Sequence, residues 1–456
     1  MGQRDSIRRS TLLLYALPAF ALAMPTIPAY VYLPTFYAET LGLGLAAVGA
    51  VLLIARVLDV VTDPLIGIAS DRLPTRWGRR KPWIIAGGLI AAVALIQLFQ
   101  PQTDVGPAHL LVWSIALYLG WTLVAVPYAA WGAELSSDYH ERARITGARE
   151  AAMVLGVVAA GGLPSLIAYL GYEQTTGLAA VAWLAIAAGA PAILLLVWRV
   201  KDGAGSAENA RSAQPPPRLT RQSLSALLAN RPFVRLLAGW FVNGLANGLP
   251  AVLFPLYLQH ALGAGTAASG VLIMAYFVAG VAAIPAWLVL SRRFGKHRVW
   301  CWAMIMACLA FVWVPFLEPG QIAAFFVICV VTGMALGADL ALPPAMQADV
   351  IDLDTLRTGQ QRAGLFFALW SMSTKLALAL AVGLAFPALD ALGFVAGGEN
   401  DRETILWLAV IYAWVPTVLK VCAIAMIWSH PMSAKRHDIV RRRLDAMAKR
   451  SLSGST

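Results

Sequence analysis

The chain has 456 residues, 59% of them hydrophobic and only 13% charged, with a mean hydropathy of +0.69. Soluble domains carry about 25% charged residues, so the composition excludes a soluble globular protein and reads as an all-α membrane protein. The net charge of +11 does not point to nucleic acid, because the basic residues follow the loops between apolar runs and are not gathered into one patch.

Runs of about 20 apolar residues, enough to cross a bilayer as a helix, recur along the whole chain. Twelve spans are predicted, near 11–38, 44–70, 82–101, 107–133, 147–170, 176–199, 233–261, 266–290, 298–317, 320–345, 362–389 and 404–429. The stretch before the first span, beginning Met1-Gly2-Gln3-Arg4, is a basic flank. The span itself is too long for a signal-peptide core and lacks a clear cleavage site. Among the 35 Lys and Arg, only Arg402 lies in an odd-numbered loop, while Arg56, Arg149, Lys375 and Lys420 lie within spans. The positive-inside rule then places both termini in the cytoplasm.

The second span carries the first chemistry. Arg56, Asp59 and Asp63 fall at i, i+3 and i+7, so a helix stacks them on one face. Charge at bilayer depth costs roughly 2.5–3.5 kcal/mol per residue even on the gentler insertion scale, so this face must meet protein, an aqueous cavity or a bound ion. Two carboxylates one turn apart offer oxygens to a hard cation, or share a proton because like charges raise one pKa. Thr62 could add a hydroxyl, and Pro64 weakens the local helix ladder. Arg56 could neutralise Asp59, but one Arg cannot neutralise both carboxylates.

After this span, Asp71 and Arg72 open a loop that closes with Gly78-Arg79-Arg80-Lys81-Pro82-Trp83. Its glycine permits a tight turn. Its charges could form a cytoplasmic latch through Asp71, Arg72, Gly78, Arg79 and Arg80 that opens when the helices rock. The fourth span brings Tyr118, Trp121, Tyr128 and Trp131 to cavity depth. Arg149, at the start of the fifth, is expected to reach the same cavity.

Residues 200–232 form the one long polar stretch between spans, rich in Pro and small residues, and read as a flexible linker. It divides the chain into a six-helix bundle at 1–199 and another at 233–429, with a basic tail at 430–456. The halves resemble each other. Gly295-Lys296-His297-Arg298-Val299-Trp300 repeats the first loop 217 positions on, and Ala348-Asp349-Val350 repeats Ala133-Glu134-Leu135 at an offset of 215. Duplicated bundles with a site near mid-membrane are typical of rocking transporters.

In the second half, Asp339 of the tenth span either makes a polar contact there or pairs with Lys420. Lys375, deep in the eleventh with Trp370 nearby, cannot snorkel and must meet an acid or substrate. Lys420 is expected to snorkel. Residues 435–450 read as an amphipathic basic helix on the inner leaflet or as a solvated tail. The four cysteines show no metal-ligand spacing. No Gly-Lys-Ser/Thr phosphate loop, His-Glu-x-x-His or Gly-x-Ser-x-Gly occurs, so an enzyme is not expected and energy must come from an ion gradient.

Asp59-x-x-x-Asp63-Pro64-x-x-Gly67-x-x-x-Asp71-Arg72, followed by Trp77-Gly78-Arg79-Arg80-Lys81-Pro82-Trp83, resembles the glycoside–pentoside–hexuronide:cation symporters, a branch of the major facilitator superfamily. Val126-Pro127-Tyr128, Glu134-Leu135, Arg149, Ala348-Asp349-Val350-Ile351-Asp352 and Lys375 extend the resemblance over nearly the whole chain. It implies twelve helices in two pseudo-symmetric bundles and symport driven by Na⁺, Li⁺ or H⁺. The cation would sit between Asp59 and Asp63, with Thr122 as a further ligand, and no other cofactor is implied. Arg149 and Lys375 inherit the cavity roles, with Trp121, Tyr128, Trp370 and Arg56 as further substrate or gating candidates.

The chain departs from the family where acidic residues grip sugar hydroxyls: those positions read Ala23 and Ala125, and a nearby tryptophan position reads Ala129. Losing carboxylates while keeping Arg149 and Lys375 favours an anionic sugar or an amphiphile, since lysophospholipid symporters share this branch. The expected protein is a monomeric, multi-pass cation-coupled symporter of a glycoside, sugar or sugar acid, working by alternating access in the inner membrane in contact with lipid, with an amphiphile carrier as the alternative within transport. A sensor that has lost turnover is the non-transport alternative.

Overall fold

A computed structural model describes residues 7–72, 77–102, 105–135, 139–172, 174–200, 230–358 and 363–432, with residues 436, 439–440 and 442–443 of the tail. All long elements are helices, as expected where lipid offers no partner to backbone N–H and C=O groups. The first four spans are Arg9–Thr40, Leu45–Arg72, Lys81–Phe99 and Pro107–Glu134. The sixth to ninth are Gln174–Arg199, Arg231–Ala261, Thr266–Phe294 and Lys296–Phe316. Ile322–Thr358, Ala363–Ala391 and Arg402–Ile427 complete the set.

Among the described residues eleven helices are long and apolar enough to cross a membrane, in keeping with the predicted all-helical fold, and two boundaries differ. The fifth predicted span forms two helices, Tyr139–Gly161 and Leu163–Tyr169. The first of these opens with charged turns, so Arg149 lies well inside a helix and not at its start. The tenth span also runs far past its predicted end at 345. Most of the linker and the basic tail lie outside the described residues.

The turn glycine is as predicted: Gly78 has φ +109°, and its counterpart Gly295 has φ +90°, a region that side chains other than glycine's rarely occupy. Spans 1 and 7 also end alike, in wide π-helical turns at Phe36–Thr40 and Tyr257–Ala261. Each is followed by a Leu-Gly-x-Gly sequence, at 41–44 and 262–265.

The chain forms two compact units. One holds the first six spans together with Ala251–Met274 and Val382–Leu408, the ends of later spans that carry odd-numbered loops. In its core Tyr15, Ile84, Tyr128, Trp131 and Leu196 pack together. The other unit holds the remaining parts of spans 7 to 12, around Phe233, Trp300, Leu342 and Phe366.

Candidate functional site

Span 2 does bring its charges to one face, and spans 1 and 4 close around them. Arg56 donates from Nη1 to Oδ2 of Asp59 at 3.1 Å, and both side chains are buried. The guanidinium also lies between two rings, 4.3 Å from the centroid of Tyr30 and 3.6 Å from that of Tyr118. Two such cation–π contacts, each worth about 0.5–2 kcal/mol, leave the arginine little freedom to leave.

The other oxygen of Asp59 faces span 4. Thr122 Oγ1 lies 3.1 Å from Asp59 Oδ1 and 2.8 Å from Asp63 Oδ1, so one hydroxyl joins two carboxyls. A hydroxyl has one hydrogen and donates to one of them at a time. The remaining contact presents a lone pair of Thr122 to a carboxyl oxygen. With both carboxylates ionised, Arg56, Asp59 and Asp63 sum to one negative charge, which a single proton or monovalent cation would cancel. Thr62 takes no equivalent part, because its hydroxyl donates to the Asp59 carbonyl at 3.0 Å within the helix.

Other predicted cavity residues fall into two groups. Trp121 is half-buried beside Thr122. Arg149 is half-buried, pairs with Glu150 at 2.6 Å, and keeps a buried Nε without a partner among the described residues. Tyr128, by contrast, turns into the bundle core. Its ring stacks on Tyr15 at 4.7 Å, and each hydroxyl donates to the other's backbone carbonyl. The apolar cluster around it explains why a tyrosine on span 4 packs inward.

In the second unit Lys375 is half-buried on span 11. Its neighbour Thr374 accepts from Trp240 Nε1 at 2.7 Å, and Trp370 stacks on Trp240 at 4.6 Å. Lys420 does not snorkel. Its Nζ donates to Oδ1 of both Asn243 and Asn247, each at 2.8 Å. Asn247 Nδ2 then donates to Asp339 at 2.8 Å, and Trp300 Nε1 bonds the other oxygen at 2.6 Å. Asp339 and Lys420 are thus linked through the amide of Asn247.

The predicted latch is partly visible. Residues 73–76 and the side chains of Asp71 and Arg72 lie outside the described part. Arg80 is buried and donates to Ser70 Oγ at 3.1 Å, tying the loop to the end of span 2. Gly78 turns the chain there, with Arg79 following. In the second unit Lys296, one residue after the equivalent glycine, bonds both oxygens of Asp349 at 2.8 and 2.7 Å. Sequence reasoning missed Tyr30, Asn243, Asn247 and Lys296. The two asparagines one turn apart in an apolar span were the available signal.

The family model for MFS/sugar transport proteins matches residues 14–434. A glucuronide carrier protein homolog of Escherichia coli K12 is 25% identical, over 91% of this chain and 90% of that protein. The sodium-dependent lysophosphatidylcholine symporter 1 of Homo sapiens is also 25% identical, over 87% of this chain and 78% of the relative. Among solved structures the nucleoside transporter NupG superposes with a TM-score of 0.67 at 15% identity, covering 92% of this chain and 99% of that one, a likeness of fold. Buried charge on apolar helices, a duplicated bundle and a match over nearly the whole length agree: the chain belongs to the MFS/sugar transport family, as a multi-pass membrane transporter of small molecules and not an enzyme.

Proposed function

We propose that the protein is a cation-coupled symporter of an anionic sugar, such as a glucuronide, working by alternating access. One observation carries the coupling: the Thr122 hydroxyl joins carboxyl oxygens of Asp59 and Asp63 on one face of span 2, beside Arg56 bonded to Asp59, so the oxygens that a cation would need converge on one point. One H⁺, Na⁺ or Li⁺ between Thr122 and a carboxyl would neutralise the site and allow the loaded carrier to rock. Arg149 supplies the basic substrate contact in the first unit, and Lys375 is its proposed counterpart in the second. The six-plus-six bundle division, a monomer in the inner membrane and cytoplasmic termini complete the reading, supported by the distribution of Lys and Arg.

The likeness to a lysophosphatidylcholine symporter supports a second reading, an amphiphile carrier. Uptake of a radiolabelled glucuronide into proteoliposomes under an imposed Na⁺ or proton gradient separates them. Gradient-driven accumulation in wild type, lost in Asp63→Asn, is the expected result. Uptake of lysophospholipid that no glucuronide competes would replace the sugar acid with an amphiphile.

A further inference from the structure

We infer that Glu39 and His260 form the latch that holds the outer gate shut, an inference that rests on the transport reading but on different residues. Glu39 lies in the last turn of span 1 and His260 in the last turn of span 7. Glu39 Oε1 is 2.7 Å from His260 Nε2 and also accepts the N–H of Gly397 at 3.2 Å. The two side chains are 8% and 11% exposed, a low figure for an acid and a base at the end of a membrane helix. The ring of Phe394 meets the imidazole edge-on at 5.0 Å.

The third partner is held ready. Asn400 accepts the Val395 N–H at 2.7 Å and donates to the carbonyls of Val395 and Gly398, at 3.0 and 3.3 Å. This closes the loop before span 12 on itself. It also presents Gly397, at φ +71°, with its N–H toward Glu39. A Cβ there would lie 3.3 Å from the Glu39 carbonyl, so glycine lets the loop approach.

One carboxylate oxygen of span 1 therefore gathers donors 221 and 358 residues on in sequence, one from the end of span 7 and one from the loop before span 12. In the same unit, span 2 packs on span 11. A Cβ at Gly49 would meet Phe386 and Pro387 at 3.0 Å, and one at Gly383 would meet Leu53 at 2.7 Å. A carrier that rocks between two accesses must part these ends to open outward, and the broken latch would then expose both groups to water. An imidazole that carries its hydrogen on Nε2 donates it to Glu39 and so holds the two helix ends together. Among the described residues no other charged side chain bonds either group. Glu399, Arg402 and Glu403 of the same loop make no bond to them, and Asp401 caps the Thr404 N–H at 2.9 Å.

The test is thiol accessibility in the purified full-length protein, in a background free of native cysteine. The reporter Val382→Cys sits at the buried contact of span 11 with Gly49. A second reporter, Ile84→Cys, lies in the bundle core. Glu39→Ala should speed maleimide labelling at position 382 about tenfold and leave position 84 unchanged. His260→Gln, whose amide N–H reaches where Nε2 does, should stay within about twofold of wild type. Wild-type labelling at 382 in Glu39→Ala, or equal acceleration at both positions, would overturn the latch. If that variant does not fold, His260→Ala is read in its place, and wild-type labelling at 382 in it overturns the latch instead. No cation or substrate enters this assay, so its failure is distinct from failure of the transport reading.

Discussion

At the residue scale the second span shows how one charge can decide the role of two others. Arg56 is fixed by two tyrosine rings and Asp59, while Thr122 bridges Asp59 to Asp63, the oxygens proposed to take a mobile charge. Arg56→Gln changes the sum at the site from one negative charge to two. It should lower the Na⁺ or proton concentration for half-maximal thermal stabilisation roughly tenfold, because removing a like charge favours the bound cation. A titration of melting temperature against cation checks this. The stacked Arg56, Asp59 and Asp63 were legible because a charge in an apolar run has no innocent reading, while Thr122 followed only from the family resemblance. The tyrosine cage was not, because aromatic residues fill cores as readily as they hold cations.

A second residue sits beyond the last span. His430 is 4% exposed; its Nε2 donates to the Pro232 carbonyl at 3.1 Å and its Nδ1 accepts the Met432 N–H at 3.4 Å. Burial pushes this imidazole down to about 4 from its ordinary 6.5. The unfolded chain takes up the proton below about pH 6.5 and the folded chain only near 4, so the unfolded state binds more protons in between. Stability should therefore fall as pH drops from 6.5 to 4, by on the order of 3 kcal/mol. His430→Gln should flatten that part of the melting-temperature profile.

At the element scale, the second unit is tied together by polar side chains where lipid gives helices no hydrophobic reason to associate. Asn247 links span 7 to Asp339 of span 10 and Lys420 of span 12, and Trp300 brings in span 9. Asn247→Leu takes one hydrogen bond each from buried Asp339 and half-buried Lys420, and should cost about 1–3 kcal/mol, the penalty of a polar group left short of a partner. Earlier unmasking of the buried Cys301 thiol during a thermal ramp would report it. Element positions were largely readable from hydropathy. The fifth span was found at 147–170, but its charged opening from Tyr139 and its break at Gly162 were not. Side-chain direction was the harder matter: periodicity placed Tyr128 on the fourth span but could not say that Tyr15 would draw it into the core.

At the scale of the whole molecule, duplication was the most informative signal. The recurrence of Gly78 as Gly295, both with positive φ, shows that the repeated loops share backbone geometry and not only composition. Lys296 bonded to Asp349 shows a loop-to-helix tie in one half that the matched sequence positions suggested for both. Cytoplasmic termini predict that a protease site placed in the linker at 201–229 is cut in inside-out vesicles and protected in intact cells. The central claim is that one cation charge resides at Asp63, and thermal stability tests it most directly. Melting temperature should be compared in Na⁺, Li⁺ and choline and across pH, for wild type, Asp63→Asn and Thr122→Ala. Stabilisation by Na⁺, Li⁺ or protons that disappears in Asp63→Asn and weakens in Thr122→Ala is the predicted result. The same cation and pH response in Asp63→Asn as in wild type would contradict the account.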